Sequence, residues 1–128
     1  MSRSTIATEQ APAAIGPYSQ AVRVENTVYF SGQIPLDPAS GSLVEGDITV
    51  QTRRVFDNLN AVARAAGGEL SDIVRIGIYV TDLANFNAVN AVMSEYFEQP
   101  YPARSTIEVS GLPKAAQVEV DAVMVLAS

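Results

Sequence analysis

The sequence predicts an α+β fold, a mixed β-sheet with two helices packed on one face, in the order β-β-α-β-α-β-β. Three observations carry this. Five segments alternate apolar and polar residues with a period of two, two further segments lying between them repeat near 3.6, and Pro and Gly cluster at the joins. Connections that return to one sheet through a helix are right-handed, so two of them lay both helices on the same face.

The first alternating segment, Ala21 to Glu25, has Val22 and Val24 on one side. The second, Thr27 to Gln33, has Val28 and Phe30 on one side and Tyr29, Ser31 and Gln33 on the other, with Glu25-Asn26 as the turn between them. Ile34 to Gly46 carries Pro35, Asp37-Pro38 and Ser40-Gly41 and reads as a loop. From Asp47, a suitable cap, Val55, Leu59, Val62 and Ala66 fall on one helical stripe, and Gly67-Gly68 supplies the stop.

Ile73 to Thr81 returns to period two, with Val74, Ile76, Ile78 and Val80 as its apolar face. Asp82 to Gln99 is the second helix, with Phe86, Val89, Met93 and Phe97 on one stripe and Pro100 beyond its end. Two last strands, Ala103 to Val109 and Gln117 to Leu126, flank Ser110-Gly111-Leu112-Pro113. If they form a hairpin with Ile107 opposing Val118, Thr106 stands opposite Glu119; a slip of two residues satisfies the pattern equally.

Composition supports one domain over residues 1–128. At 48% hydrophobic and 17% charged residues, the chain affords a single core without disulfides or metal. It contains no His and no Cys, which removes imidazole bases, thiolate nucleophiles, iron–sulfur clusters and His-ligated zinc. Chemistry is left to carboxylates, Arg, Tyr, hydroxyls and one Lys, Lys114, which reads as a solvated surface residue. A net charge of −6 repels a phosphate backbone, so nucleic acid is not the expected partner. Met1 to Gln10 has no apolar signal core, and no window approaches a membrane span; the expectation is a soluble, cytoplasmic protein.

With both helices on one face, parity assigns Tyr29, Ser31, Arg75, Gly77, Tyr79, Arg104, Thr106, Glu108, Glu119, Asp121, Val123 and Val125 to the other. This face is explained either by contact with further copies of the chain or by partial exposure to water. On it, Arg104 projects on the same side as Glu119. Its guanidinium fork either docks a small carboxylic acid or pairs with Glu108, Glu119 or Asp121. Glu119 interrupts an apolar run, where partial desolvation raises a carboxyl toward the range useful for proton transfer; the alternative is an ion-pair partner. Asn90 falls within the apolar stripe of the second helix, either tying it to a strand edge or shaping a pocket. Tyr18 lies on the Gly16-Pro17 loop, where packing is its default role.

Five segments together resemble the YjgF/RidA reactive intermediate deaminases: Ala13-Ala14-Ile15-Gly16-Pro17-Tyr18-Ser19-Gln20, Ser31-Gly32-Gln33-Ile34-Pro35, Val89-Asn90, Pro102-Ala103-Arg104-Ser105-Thr106 through Leu112-Pro113-Lys114, and Val118-Glu119. The resemblance spans about Ile6 to Val125. It implies a chorismate-mutase-like fold, a homotrimer with ligand sites between subunits, and no cofactor or metal. It also implies hydrolysis of 2-iminobutanoate and 2-iminopropanoate to 2-oxo acids and ammonia. Residue by residue, it gives Arg104 the substrate carboxylate and Glu119 the catalytic water, with Tyr18, Ser31, Asn90 and Thr106 lining the pocket. Many relatives have Cys where this chain has Thr106, so a thiol is not an obligatory nucleophile here. Some relatives are described as ribonucleases; the acidic balance and absence of His weigh against RNA chemistry in this chain. The competing class is a trimeric module that binds small carboxylates without turning them over.

Overall fold

A computed structural model describes residues 2–127. Its strands are β1 (Arg3–Ile6), β2 (Ala21–Val24), β3 (Thr27–Gln33), β4 (Ile73–Val80), β5 (Ala103–Glu108) and β6 (Val118–Val125), and its helices are α1 (Ile48–Ala65) and α2 (Phe86–Tyr96). The strands form one mixed sheet in the order β1-β2-β3-β6-β4-β5, with both helices packed on it as expected. The extra strand, β1, pairs antiparallel with β2. Its four residues, Arg-Ser-Thr-Ile, hold no alternating apolar face, so only backbone hydrogen bonding marks it as a strand.

Helix α1 begins where the sequence places its cap: the Asp47 carboxylate accepts from the Val50 N–H at 3.1 Å. It buries Val55, Phe56, Leu59 and Val62 completely. The Phe56 ring meets Tyr96 and Phe97 of the second helical segment at centroid distances of 5.4 and 5.5 Å, locking the two helices together. Helix α2 is shorter than expected, because Leu83–Asn85 forms a separate 3₁₀ turn capped by Asp82.

The last two strands do not form the hairpin on which the pairing of Thr106 with Glu119 is conditional. Strand β4 lies between them, β5 runs parallel to β4 at the sheet edge, and β6 is inserted antiparallel to both β3 and β4. Apolar content explains the exchange. Val118, Val120 and Met124 of β6 are fully buried, whereas no residue of β5 is, so the chain centres the strand with more to bury.

Two irregularities overturn parts of the parity assignment. A register shift between Ile73 and Arg75 sends Ile73 into the core and leaves Val74 48% exposed, contrary to the apolar face expected for β4. A second shift, between Phe30 and Gln33, turns Gln33 to the helix side, where it is buried opposite Val120. Strand β5 has the opposite parity from the one expected. Arg104 and Thr106 pair with Ile76 and Ile78, which face the helices, while Ile107 is 49% exposed on the open face. Assigning Ile107 inward because it is apolar fails at an edge strand that contributes nothing to the buried core.

Candidate active site

The parity of β5 divides the expected site residues into two groups on opposite faces of the sheet. Arg104 projects from the β5 edge toward α2. Its Nη1 donates to Asn90 Oδ1, lies 3.6 Å from Met93 Sδ, and its guanidinium carbon stands 5.4 Å from the centroid of the Phe86 ring. One amine and one face of the guanidinium are thereby engaged from the protein side. Among the described residues the only ion pair is Arg53–Glu95, so Arg104 is paired with none of Glu108, Glu119 or Asp121. Asn90 does tie helix to strand edge, and it does so through the arginine.

A cavity of about 350 Å³ opens at this point, lined by Asn90, Met93, Ser94, Tyr101, Pro102 and Arg104. Thr106 lies two residues along on the same side of β5. Its Oγ1 is buried and has no hydrogen-bond partner, an unusual state for a hydroxyl.

Glu119 occupies the other face. It projects from β6 beside the β3 irregularity, where the backbone of Gly32 passes directly beneath the carboxylate. A Cβ at Gly32 would lie 2.8 Å from Glu119 Cδ and nearer still to Oε2, so the close approach requires glycine. Tyr79 stands opposite Glu119 on β4. The Glu119 side chain takes part in no hydrogen bond or ion pair among the described residues. Burial first, and then the negative charge of Asp121, push its carboxyl above the usual glutamate range.

A second cavity of about 370 Å³ adjoins the carboxylate, lined among others by Ile15, Tyr18, Ser31, Gly32, Pro113 and Glu119. The loop forming its wall is fixed locally. Ser31 Oγ donates to the Ser19 carbonyl at 2.6 Å, and the Ile15 N–H donates to the Tyr18 hydroxyl at 3.3 Å. Gln20 is buried behind it and donates to the Pro12 carbonyl at 2.7 Å.

The structure therefore brings Tyr18, Ser31 and Glu119 together, and separately Asn90, Arg104 and Thr106. It does not bring the two groups together within one chain. Sequence reasoning missed Phe86 and Met93 as supports of Arg104, because an aromatic and a thioether on a helical stripe read as core. It also gave no role to Gly32, although a glycine inside an alternating strand is the ordinary mark of a bulge or close approach. Lys114 is exposed, as expected. Among the described residues no group of three or more Asp or Glu side chains is placed to hold a metal ion, and no helix is long and apolar enough to cross a membrane.

A family model described as Endoribonuclease L-PSP matches residues 8–126. The chain belongs to the YjgF/RidA family. A RutC family protein of Sulfurisphaera tokodaii is 51% identical over 116 residues, covering 91% of this chain and 93% of the relative. A protein of Dermatophagoides farinae named 2-iminobutanoate/2-iminopropanoate deaminase is 46% identical, covering 94% of each chain. The crystal structure of RidA from an Antarctic Psychrobacter superposes with a TM-score of 0.93 at 45% identity, covering 96% of this chain and 99% of that one. The YjgF/RidA family thus includes close relatives named as imine deaminases and others named only by family.

Proposed function

We propose that this YjgF/RidA protein hydrolyses 2-imino acids, with 2-iminobutanoate and 2-iminopropanoate as representative substrates, to 2-oxo acids and ammonia without a cofactor. The observation that carries the reading is Arg104. Its guanidinium is held from behind by Asn90 and Phe86, faces a cavity, and has no carboxylate partner of its own among the described residues. Such a fork matches the α-carboxylate of a small acid. The naming of a relative at 46% identity as a deaminase agrees with it.

The base is Glu119, and the second half of the proposal is that it comes from another copy. The arginine group and the glutamate group occupy different surfaces of one chain, so a head-to-tail contact that closes into a ring brings each arginine group onto the neighbour's glutamate group. A homotrimer is the ring proposed here, and it would also cover the open sheet face carrying Tyr29 and Ile107, which are 52% and 49% exposed. The same proposal sets the protein in the cytoplasm.

In the assembled site Arg104 holds the carboxylate of the imine. Glu119 takes a proton from water as the oxygen bonds to the imine carbon and the C=N electron pair moves to nitrogen; Glu119 returns that proton to the nitrogen, and the adduct's hydroxyl proton follows as the C–N bond breaks, releasing ammonia and leaving the C=O of the 2-oxo acid. The imine is intrinsically reactive, so holding it beside an oriented water supplies most of what is needed. Thr106, two residues from Arg104 on the same side of β5, is assigned to shaping this site, its buried hydroxyl being without a partner in the single chain.

The test is ammonia release from 2-iminobutanoate generated in place by a threonine dehydratase. Acceleration by the protein supports the reading, and binding of 2-oxo acids without acceleration would replace it with a carboxylate-binding module. One variant follows from the backbone contact under Glu119. Gly32→Ala should displace the carboxylate and lower turnover about tenfold to a hundredfold, with the circular dichroism spectrum unchanged, since misplacing a catalytic group by an ångström has that effect.

A further inference from the structure

Beside Glu119, on the open face of the sheet, Tyr79 donates its hydroxyl to Asp121 Oδ2 at 3.0 Å. The three residues form a compact triangle. Tyr79 is directly opposite Glu119 across the β4–β6 ladder, and Asp121 is two residues from Glu119 on the same face of β6. The phenol therefore reaches diagonally past one carboxylate to bind the other. Room for this comes from Gly77, where a Cβ would lie 2.6 Å from Asp121 Oδ1 and 3.1 Å from the Tyr79 hydroxyl. Two glycines, Gly32 and Gly77, thus each seat one member of an acidic pair.

Resting on the reading of Glu119 as the base, we infer that Tyr79 and Asp121 are its positioning pair: the phenol fixes the Asp121 carboxylate in the patch shared with Glu119, where a proton on Glu119 relieves the repulsion between them. Of the other groups facing this patch, Arg75 opposes the upward push on Tyr79 as the smallest contribution there and is not among the causes acting on Glu119. From β4, Arg75 lies across from Val123, beyond Asp121, and is directed toward Ser105 at 3.3 Å. From β3 come Tyr29 and the non-ionising Ser31 and Gly32, and from the cleft wall Tyr18. Lys114, beside Pro113, is exposed and forms no ion pair among the described residues. The upward push on the Glu119 carboxyl from burial and Asp121, and on the Tyr79 phenol from its bond to Asp121 and then burial, has the direction this arrangement requires. Its value to a base is that a carboxylate pushed above the usual glutamate range takes a proton from water more readily.

The experiment is a titration of the Glu119 side-chain carboxyl by carbon-13 NMR in the assembled protein, with the resonance assigned by its loss in Glu119→Gln. In Asp121→Asn, which keeps an acceptor for Tyr79 but removes the charge, the Glu119 midpoint is expected to fall by about 0.5–1 pH unit. Tyr79→Phe should produce a smaller fall, and Tyr79→Phe/Asp121→Asn should match Asp121→Asn alone, because the phenol acts through the aspartate. Asp121→Ser serves if the asparagine variant does not fold. An unchanged midpoint in the charge-removing variants overturns the inference, as does additivity of the Tyr79 and Asp121 effects. No substrate enters the titration, so absence of imine turnover would retire the deaminase reading without altering this result.

Discussion

Arg104→Ala is expected to lose imine turnover while leaving the fold intact. The side chain is exposed at the edge of the sheet, and its loss removes contacts to Asn90, Met93 and Phe86 without opening the buried core. What it removes from recognition is a charged hydrogen-bonding fork, typically worth about 2–5 kcal/mol once desolvated. Even the lower figure corresponds to a loss of roughly 30-fold in kcat/KM. Arg104→Lys should recover only part of this, since an ammonium presents no planar fork. Steady-state kinetics with 2-iminobutanoate, alongside thermal unfolding of each variant, checks both halves. Unfolding of Arg104→Ala at ambient temperature would make the residue structural instead.

Glu119→Gln is expected to lower kcat and to raise stability at neutral pH. The amide keeps the size and position of the carboxyl but cannot accept the proton of water, so turnover should fall about a hundredfold to ten-thousandfold, the usual share of general base catalysis, while 2-oxo acids still bind. Because the fold raises the carboxyl above its unfolded value, protonated Glu119 is the form that the fold favours. That contribution is full below the unfolded midpoint, near pH 4, and is lost as pH rises through the folded one, leaving a charged and half-buried group at neutrality. Glu119→Gln should therefore raise the unfolding temperature at pH 7 and show no gain near pH 4. In the wild type, kcat/KM should decline on the acid side at a pH above the ordinary glutamate range. Scanning calorimetry and pH–rate profiles read these directly, and a destabilised Glu119→Gln at pH 7 would contradict the account of the site.

Much of this was legible before the structure, because long periodic segments state their burial plainly. Helix α1, with its Asp47 cap and its stripe through Val55, Leu59 and Val62, begins within a residue of the position its sequence marks. The failures share a physical cause. Parity transfers from one strand to another only if neither slips, and β3 and β4 both carry register shifts that no residue pattern reports beyond a lone glycine at Gly32. Strand order depends on how much each strand can bury relative to the others, so the exchange of β5 and β6 is a property of the whole sheet. Arg104 and Glu119 were consequently expected on one face and lie on opposite ones. The two-sided arrangement is legible only from side-chain geometry, and it turns the oligomer from a way of covering an apolar face into a requirement of the proposed reaction.

The most direct test of that requirement is subunit mixing. Arg104→Ala and Glu119→Gln proteins, each inactive alone, are unfolded together, refolded as hybrid oligomers, and assayed for ammonia release. If every site takes its arginine from one copy and its glutamate from the next, random mixing at equal amounts restores both residues in about one quarter of the sites, and activity should return to about a quarter of wild type. Hybrids confirmed by mass spectrometry that stay as inactive as either parent would show that Arg104 and Glu119 do not act across an interface.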